Sequence, residues 1–267
     1  MVKNSLQRRK ISVFTVSFNA GDCIEKTILS VLGQSYSGIE YIIIDGGSTD
    51  STMEITGRYR DRIALILSER DRGIYDGMNQ GILAATGDFL LLMNADDVFS
   101  DSELVADVAK FIESHPEAEA IFGNSAEVRE YGTFINRPDT AFFNHKMAVC
   151  HQATFVRTAI LRKHPFDLRY NYAADFEQLS SLFLEGINFV HFDRLIATCV
   201  LSTGTTFRHQ IESANELYDI IESRGIDCKT ERKKIIRHKK MVLAFRTWLP
   251  GFITRPVFRF LAQPYKA

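Results

Sequence analysis

The sequence predicts an α/β protein with a mostly parallel central sheet flanked by helices and a helical, basic extension at the C-terminus. Three observations predict it. Strand-like and helix-like segments alternate from residue 11 to residue 115, the pattern of a parallel sheet with helices on its faces. The runs "YIII" (41–44) and "FLLLM" (89–93) are apolar without a break, as in strands covered on both sides. Carboxylates then stand where those runs end: Asp45 after the first, and Asp96 beside Asp97 just past the second.

"ISVFTVSF" (11–18) is β-branched and aromatic and ends at the turn residues "NAGD", which predicts the first strand. Residues 23–34 place Ile24, Ile28, Val31 and Leu32 at helical spacing. "IEYIIIDGG" predicts a second strand stopped by glycines, "STDSTMEITGRYR" a capped helix and "IALILSE" a third strand. A helix follows over about 74–86 with Ile74, Met78, Ile82 and Ala85 on one side, and Gly73 supplies the tight turn into it. "DFLLLMN" is the fourth strand and "SELVADVAKFIESH" an amphipathic helix. From about Glu119 the pattern changes. "AIFGNSAEV" and "GTFI" predict a hairpin, helices are expected at 158–163 and about 176–186, "NFVHFD" and "LIATCVL" read as strands, and 211–224 is helical.

The 267 residues are 45% hydrophobic and 24% charged, enough for one large core or one core with a small appendage. Net charge is −1 but unevenly spread: residues 229–267 hold eleven Lys and Arg against one acid, Glu231, so the tail carries +10 and the remainder −11. That asymmetry gives the tail a separate task. The acidic remainder speaks against nucleic acid as a partner. Cys23, Cys150, Cys199 and Cys228 are far apart and form no C-x-x-C pair, so neither a disulfide framework nor a zinc site is expected. Cys199, in "LIATCVL", reads as a small core residue. No signal peptide is visible, and no apolar run approaches the roughly 18 residues of a membrane span, so a cytoplasmic setting is expected.

Adjacent carboxylates repel, and a cation offsets that repulsion. In open α/β sheets ligands bind outside the carboxyl ends of the strands. A hard cation such as Mg²⁺ takes one or two carboxylates there and completes its shell with substrate phosphates, so Asp96-Asp97 points to a metal–diphosphate site. The competing reading makes Asp97 or Asp101 the cap of the next helix. No G-x-G-x-x-G follows the first strand and no G-x-x-x-x-G-K-[ST] occurs, which argues against a dinucleotide fold or a P-loop.

The blocks "VFTVSFNAGDCIEKTILSVLGQSY", "YIIIDGGSTDST", "SERDRGIYDGMNQGILAATGDFLLLMNADD" and "YAADFEQLSSLFLEG" follow one another in a specific order. In that order they resemble the family 2 inverting glycosyltransferases, which have the GT-A nucleotide-sugar-binding fold, over about residues 10–205. Within the family they are similar to bacterial exopolysaccharide and O-antigen enzymes, including the colanic acid type. The resemblance implies a catalytic domain at 1–205, with a nucleotide-sugar half at about 10–100 and an acceptor half at about 101–205, and it leaves 206–267 as the basic extension.

The resemblance also implies roles. Asp45 would meet the base or ribose, with Val16, Ser17 and Asn19 as the other wall, and Asp71 would approach the donor. Asp76 and Asn79, one turn apart, share a face that lines the donor site or is solvated. Asp97 would sit on a divalent metal, Mn²⁺ or Mg²⁺, and Asp96 on the ribose or sugar. The usual motif is D-x-D, whereas here Ala95 precedes the pair. His209 is a further candidate for the metal shell. Asp175 matches the general base of a block often written E-D-x-D; Ala174 replaces its Glu and Glu177 takes the second acidic place, so Asp175 and Glu177 are both candidates. His151-Gln152 falls where related enzymes show His-Gln near the acceptor. The residues alone permit structural roles as well: an N-cap at Ser48 or Asp50, a surface turn at Asp71, a capping box between Asp175 and Gln178, and a structural His151.

The implied reaction moves a sugar from a nucleoside-diphosphate sugar to a hydroxyl of a saccharide or lipid-linked saccharide, with inversion, in bacterial surface polysaccharide synthesis. A nucleotidylyltransferase would need a loop rich in Gly and Lys/Arg after the first strand, and "FNAGDCIEK" has one of each. The alternative from another class is an inactive nucleotide-sugar-binding subunit of a polysaccharide assembly complex. In the tail, Ile235, Ile236, Met241, Val242, Leu243, Phe245, Trp248 and Leu249 alternate with cations. Such a helix suits an anionic membrane surface at the inner face of the cytoplasmic membrane. Its apolar face also permits packing on the catalytic domain or on a second subunit, giving a homodimer.

Overall fold

The structure is a computed structural model that describes residues 9–248, apart from 131, 144, 202 and 203. The side chains of Phe245 and Trp248, and Leu249 with the rest of the tail, lie outside the described residues. The elements run β1 (Ile11–Ser17), α1 (Ile24–Leu32), β2 (Ile39–Asp45), α2 (Thr52–Gly57), β3 (Leu65–Ser68), α3 (Ile74–Ala84) and β4 (Phe89–Asn94). Then come β5 (Val98–Phe99), α4 (Leu104–Ser114), β6 (Ala120–Arg129), β7 (Gly132–Asn136), β8 (Thr154–Arg157), α5 (Thr158–Lys163) and α6 (Ala174–Leu184). β9 (Phe189–Val200), α7 (Thr205–Arg208), α8 (Gln210–Ser223) and α9 (Lys229–Trp248) complete the order.

The strands form one nine-stranded sheet in the order β3-β2-β1-β4-β8-β6-β9-β5, with β7 on β6. β3, β2, β1 and β4 are mutually parallel. The chain steps outward from β1 to β3 and then returns to the other side of β1 as β4, so the strand order reverses between β1 and β4. That is the place where open sheets bind ligands. Register brings Ser17 opposite Asp45 and Val16 opposite Asn94, which aligns the carboxyl ends of the three strands.

The unbroken apolar runs are explained by two cores. Ile11, Val13, Tyr41, Ile43, Phe89, Leu91 and Met93 point to one face and pack with Ile24, Ile28 and Val31 of α1 and Leu104, Val108 and Ile112 of α4. Phe14, Val16, Ile42, Ile44, Leu90 and Leu92 point to the other and pack with Met78 and Ile82 of α3, Leu161 of α5 and Leu179 and Leu182 of α6. Each such side chain, fully buried, contributes about 1.5–3 kcal/mol.

The structure adds elements that periodicity did not predict. β5 and β8 are too short to leave a pattern, and β8 is antiparallel to both β4 and β6. The segments expected as two strands at 188–193 and 195–201 are one strand, β9, whose register against β6 shifts between Phe122 and Ser125. The described part of the C-terminal segment packs through Ile235 on a buried cluster. Ala173, Phe176, Tyr218, Ile220, Ile221 and Cys228 form a third buried cluster, against which Ile235 of α9 packs. Ile235 of α9 thus packs within the same chain, on a cluster that Ala173 and Phe176 share with α8.

Candidate active site

The crevice is built first at the ends of β1 and β2. Asp45 is 1% exposed, and its two oxygens accept five hydrogen bonds. Ser17 Oγ (3.0 Å) and Ser48 Oγ (2.5 Å) donate to Oδ1, while Gly47 N (3.1 Å), Ser48 N (2.9 Å) and Ser68 Oγ (2.8 Å) donate to Oδ2. Asp45 thus fastens three strand ends and the 46–48 turn into one wall. Asn19 stitches the opposite loop to it: Asn19 N donates to Ser48 Oγ and Thr49 N donates to Asn19 Oδ1, at 2.7 and 2.9 Å. Asn19 holds the left-handed φ of 47° that this turn requires. Val16 is buried beneath, and Phe18 stands 65% exposed beside it. The N-cap of α2 is Ser51 rather than Ser48 or Asp50, and Asp50, one residue before it, accepts from Thr52 N at 3.0 Å.

Asp71 lies against this wall. A Cβ on Gly46 would come within 2.7 Å of its Oδ2, so only glycine leaves it room. Burial, with Asp76 and Asp45 adding like charge, pushes its carboxyl up against the pull of the Gly73 amide. Gly73 enters α3 at φ 121°, where a side chain would be strained. Asp76 and Asn79 take structural contacts. Asp76 accepts from Arg72 N and pairs with its guanidinium, which holds its carboxyl low. Asn79 clamps the Phe166 backbone from both sides, at 2.8 and 2.9 Å.

Past β4 the acidic pair divides. Asp97 turns inward and is 3% exposed. Its Oδ1 accepts from Val200 N (3.0 Å) and its Oδ2 from Gln152 Nε2 (2.8 Å). Burial pushes its carboxyl up despite those bonds. Asp96 stays at the rim with its side chain 25% exposed and pairs with Lys26 of α1. The resemblance implies a metal on Asp97, but of the pair Asp97 is the buried carboxylate and Asp96 the one with an outward face. Among the described residues no three His, Cys, Asp or Glu side chains gather as a metal cluster. His209 instead stacks on Tyr172 with ring centroids 4.9 Å apart. One rim carboxylate that leaves the rest of a shell to phosphates still fits a hard divalent cation.

Across from this rim stands a second centre. Asp175, in the first turn of α6, accepts from His151 Nδ1 at Oδ2 and from the Tyr75 hydroxyl and Phe176 N at Oδ1, each over 3.0 Å. Burial alone would raise its carboxyl; the His151 hydrogen bond and charge, the Phe176 amide and the Tyr75 hydroxyl outweigh it and hold the carboxyl below its usual range. Burial likewise lowers His151, and the Asp175 bond and charge reverse this and raise it. The capping box expected between Asp175 and Gln178 is absent. Glu216 of α8 instead holds the segment that leads into the helix, accepting from the amides of Asn171, Tyr172 and Ala173 at 2.7–3.1 Å. Gln178 donates to His164 O. Glu177 leaves α6 on another face, two residues round the helix, where it accepts from Ser181 Oγ. It is not part of the Asp175 centre.

Asn94 joins the two centres. Its Nδ2 lies 3.5 Å from His151 Nε2, and its Oδ1 is buried with no hydrogen-bond partner. Behind them Cys150 Sγ donates to Gln152 Oε1 and sits 3.7 Å from Cys199 Sγ; all four cysteines are free thiols. Sequence reasoning missed Tyr75, Lys26 and Glu216. Tyr75 reads as one more apolar position of α3, Lys26 as a solvated helix charge, and Glu216 carries no local signal because its partners are more than 40 positions away.

The glycosyl transferase family 2 model matches residues 12–164. The chain is 31% identical over 174 residues to a PGL/p-HBAD biosynthesis glycosyltransferase of Mycobacterium bovis, covering 62% of this chain and 66% of that one. It is 35% identical over 176 residues, with the same coverage, to an uncharacterized glycosyltransferase of Mycobacterium tuberculosis. The chain thus spans just under two thirds of these relatives' length. Among solved structures, S. aureus TarS 1–349 in complex with UDP superposes with a TM-score of 0.63 at 19% identity, over 89% of this chain and 72% of that one. Mannosyltransferase PcManGT from Pyrobaculum calidifontis, in complex with GDP-Man and Mn²⁺, gives 0.65 at 17% identity, over 96% and 79%. Identities this low speak to the fold, which is the GT-A arrangement expected from the sequence. The match over more than half of its length places this chain in glycosyl transferase family 2.

Proposed function

We propose that this protein is an inverting glycosyltransferase that moves a sugar from a nucleoside-diphosphate sugar to a hydroxyl of a saccharide acceptor. One observation carries the reading: the reversal point of the sheet joins a hydrogen-bonded strand-end wall and a rim carboxylate on one side to a buried Asp–His centre on the other. Family membership and the UDP and GDP-Man held by structural neighbours support a nucleotide sugar as donor.

In this reading the wall built on Asp45, with Val16, Ser17, Asn19 and Asp71, receives the nucleoside, and Phe18 offers it an apolar surface. Asp96 is the residue that would hold a divalent cation, whose Lewis acidity would stabilise the leaving diphosphate. Lys26 is the cation already paired with Asp96 and must exchange partners as the diphosphate enters. The Asp175 centre receives the proton of the attacking hydroxyl, and Tyr75 and the Phe176 amide keep Asp175 anionic for that purpose. Gln152 and Asp97 act from beneath, fixing the segment that carries His151.

The basic extension would bring this site to a lipid-linked acceptor. α8 and α9 enclose a depression of about 570 Å³ lined by Lys229, Arg232, Lys233, Arg237 and Lys240 with Asn215, Glu222 and Ile236. Among the described residues no helix is long and apolar enough to cross a membrane. Cations without a span suit the surface of an anionic bilayer.

The test is incubation with UDP- and GDP-sugars, Mn²⁺ and a lipid-linked saccharide extract, following nucleoside diphosphate release and the anomeric configuration of the product. Inverted product is expected. Donor binding with neither release nor transfer would instead make this chain a nucleotide-sugar-binding subunit.

A further inference from the structure

We propose that Cys150 and Cys199 form a modification site: a dithiol that hydrogen peroxide closes to a disulfide and a thiol reductant reopens, and whose closing pulls His151 off Asp175. The effect on transfer rests on the transferase reading above; the bond itself does not.

The fold brings together two thiols that stand 49 positions apart in the chain. Cys150 Sγ lies 3.7 Å from Cys199 Sγ, and both are free. The other two cysteines meet oxygen instead: Cys23 the Ala20 carbonyl, and Cys228 the Tyr218 carbonyl and Glu222. The sulfurs of a disulfide are about 2.0 Å apart, so this pair closes by moving about 1.7 Å. Cys150 is half-buried, which leaves a path for a small oxidant, while Cys199 is buried.

The two thiols are unequal. Cys150 donates its proton to Gln152 Oε1, so in the contact between the sulfurs Cys199 is the donor and Cys150 the acceptor. That bond, with the charge of His151, pulls the Cys150 thiol down against its burial. The same bond, with burial, pushes Cys199 up. The thiolate is the nucleophile, so Cys150 reacts first.

The step balances with hydrogen peroxide as the oxidant. The Cys150 thiolate attacks one peroxide oxygen, the O–O bond breaks, and Cys150 becomes a sulfenic acid. The hydroxide that leaves takes up the proton Cys150 gave off. Cys199 sulfur then attacks Cys150 sulfur, the S–O bond breaks, and the hydroxyl leaves as water with the Cys199 proton. Both sulfurs are oxidised, and the peroxide is reduced to two molecules of water.

The movement falls on the site. Cys199 belongs to β9, in register with Glu127 of β6, so the ladder holds it. Cys150 lies outside any strand, just before the 151–153 turn, and does most of the moving. His151 is the next residue. Its bond to Asp175 is 3.0 Å long and a hydrogen bond is lost beyond about 3.5 Å, so the slack is about 0.5 Å. Closing also removes the proton that Cys150 gives to Gln152, the residue whose amide holds Asp97.

The test treats the reduced full-length chain with hydrogen peroxide, alkylates it under denaturing conditions and maps its peptides by mass spectrometry. A peptide linking Cys150 to Cys199 is expected. It should form before Cys23 is modified, because burial and the Asp96 charge push Cys23 up to about 11. Nucleoside diphosphate release in the presence of acceptor should fall with it by about 10- to 10²-fold, the scale of an ångström's misplacement at a reacting centre. Dithiothreitol should reverse both. Cys199→Ala should give no linked peptide and leave Cys150 as a sulfenic acid that dimedone traps. The ¹⁵N signals of the His151 ring, which need neither a variant nor turnover, should shift on oxidation of the wild type. Four thiols still open to alkylation after treatment, a linkage between any other pair, or a Cys150–Cys199 linkage with unchanged release and unmoved His151 signals would overturn the proposal. Absence of release from the reduced protein with every nucleotide sugar would remove the transferase reading, while the peptide map and the ring signals would still decide the bond.

Discussion

Tyr75 on α3 donates its hydroxyl to Asp175 on α6 over 3.0 Å, joining residues one hundred positions apart. The bond locks the helix after the Gly73 turn to the centre across the crevice. Tyr75→Phe should keep the ring, which packs 5.4 Å from Phe166, and remove only the hydroxyl. About 1 kcal/mol of stability should go, and the Asp175 carboxyl should rise. Urea unfolding and an NMR titration of the Asp175 carboxyl check this; an unmoved carboxyl would show that Tyr75 does not help to hold it low.

Glu216 carries the start of α6 from a distance. Three consecutive amides donate to its carboxylate, and the charge sits at the positive end of the helix. Glu216→Ala should cost about 1–3 kcal/mol and reduce transfer, because the first turn that positions Asp175 loses its anchor. Glu216→Gln should fall between, since it keeps one acceptor. Equal stability of all three forms would make this anchor dispensable.

The fold was legible in the sequence because strands buried on both faces and helices with an apolar stripe leave patterns that need no partner. Ile11–Ser17, Ile39–Asp45 and Phe89–Asn94 run as expected to within a residue or two. Part of the site was legible too, since carboxylates at strand ends have few other reasons to be there. What the sequence left open is direction. Asp96 and Asp97 look equivalent in a string, yet one faces the rim and the other the Val200 amide. Asp175 reads as a local cap until its oxygens are seen to meet His151 and Tyr75. Such relations depend on residues tens of positions away, and periodicity carries no record of them.

The acidic pair can be separated by measurement. Asp96→Asn should weaken Mn²⁺ binding by tenfold or more with stability nearly unchanged, and Lys26→Ala should tighten it, because the competing cation is gone. Asp97→Ala should instead unfold more easily by about 1–3 kcal/mol, since it strands the Val200 amide. Asp97 also carries a pH signature. Its folded value is raised, so the native state holds the proton longer than the unfolded chain, and stability falls as pH rises from the ordinary 3.8 through the raised value. Asp97→Asn should flatten that slope. Mn²⁺ calorimetry and denaturant midpoints between pH 3 and 8 give both answers, and loss of metal binding in the Asp97 variants alone would reverse the assignment.

The His151–Asp175 pair bounds stability from two sides. His151 is raised on folding, so its contribution is fully present below the ordinary 6.5 and is lost as pH rises through the higher folded value. Asp175 is lowered, so its contribution is present above the ordinary 3.8 and is lost as pH falls through the lower folded value. The stability gap between wild type and His151→Gln should therefore be widest between those two ordinary values and close above neutrality. A gap independent of pH would mean that the pair interacts without charge.

The basic extension is best tested by charge and not by truncation. Ile235 of α9 packs against the cluster that holds Phe176, so a chain ending before α9 would lose that contact along with its cations. Lys233 and Lys240 are exposed and line the depression between α8 and α9. Lys233→Glu with Lys240→Glu should leave the fold unaltered. Each cation near an anionic bilayer is worth about 1 kcal/mol, so the double reversal should lower the affinity for phosphatidylglycerol vesicles more than about tenfold. Binding by the wild type should itself weaken from low to physiological salt, as surface charges do. Vesicle co-sedimentation at two salt concentrations, with phosphatidylcholine as the neutral control, measures both. Equal binding of wild type and variant, or binding that ignores both salt and lipid charge, would take the extension away from the membrane and leave it to protein packing.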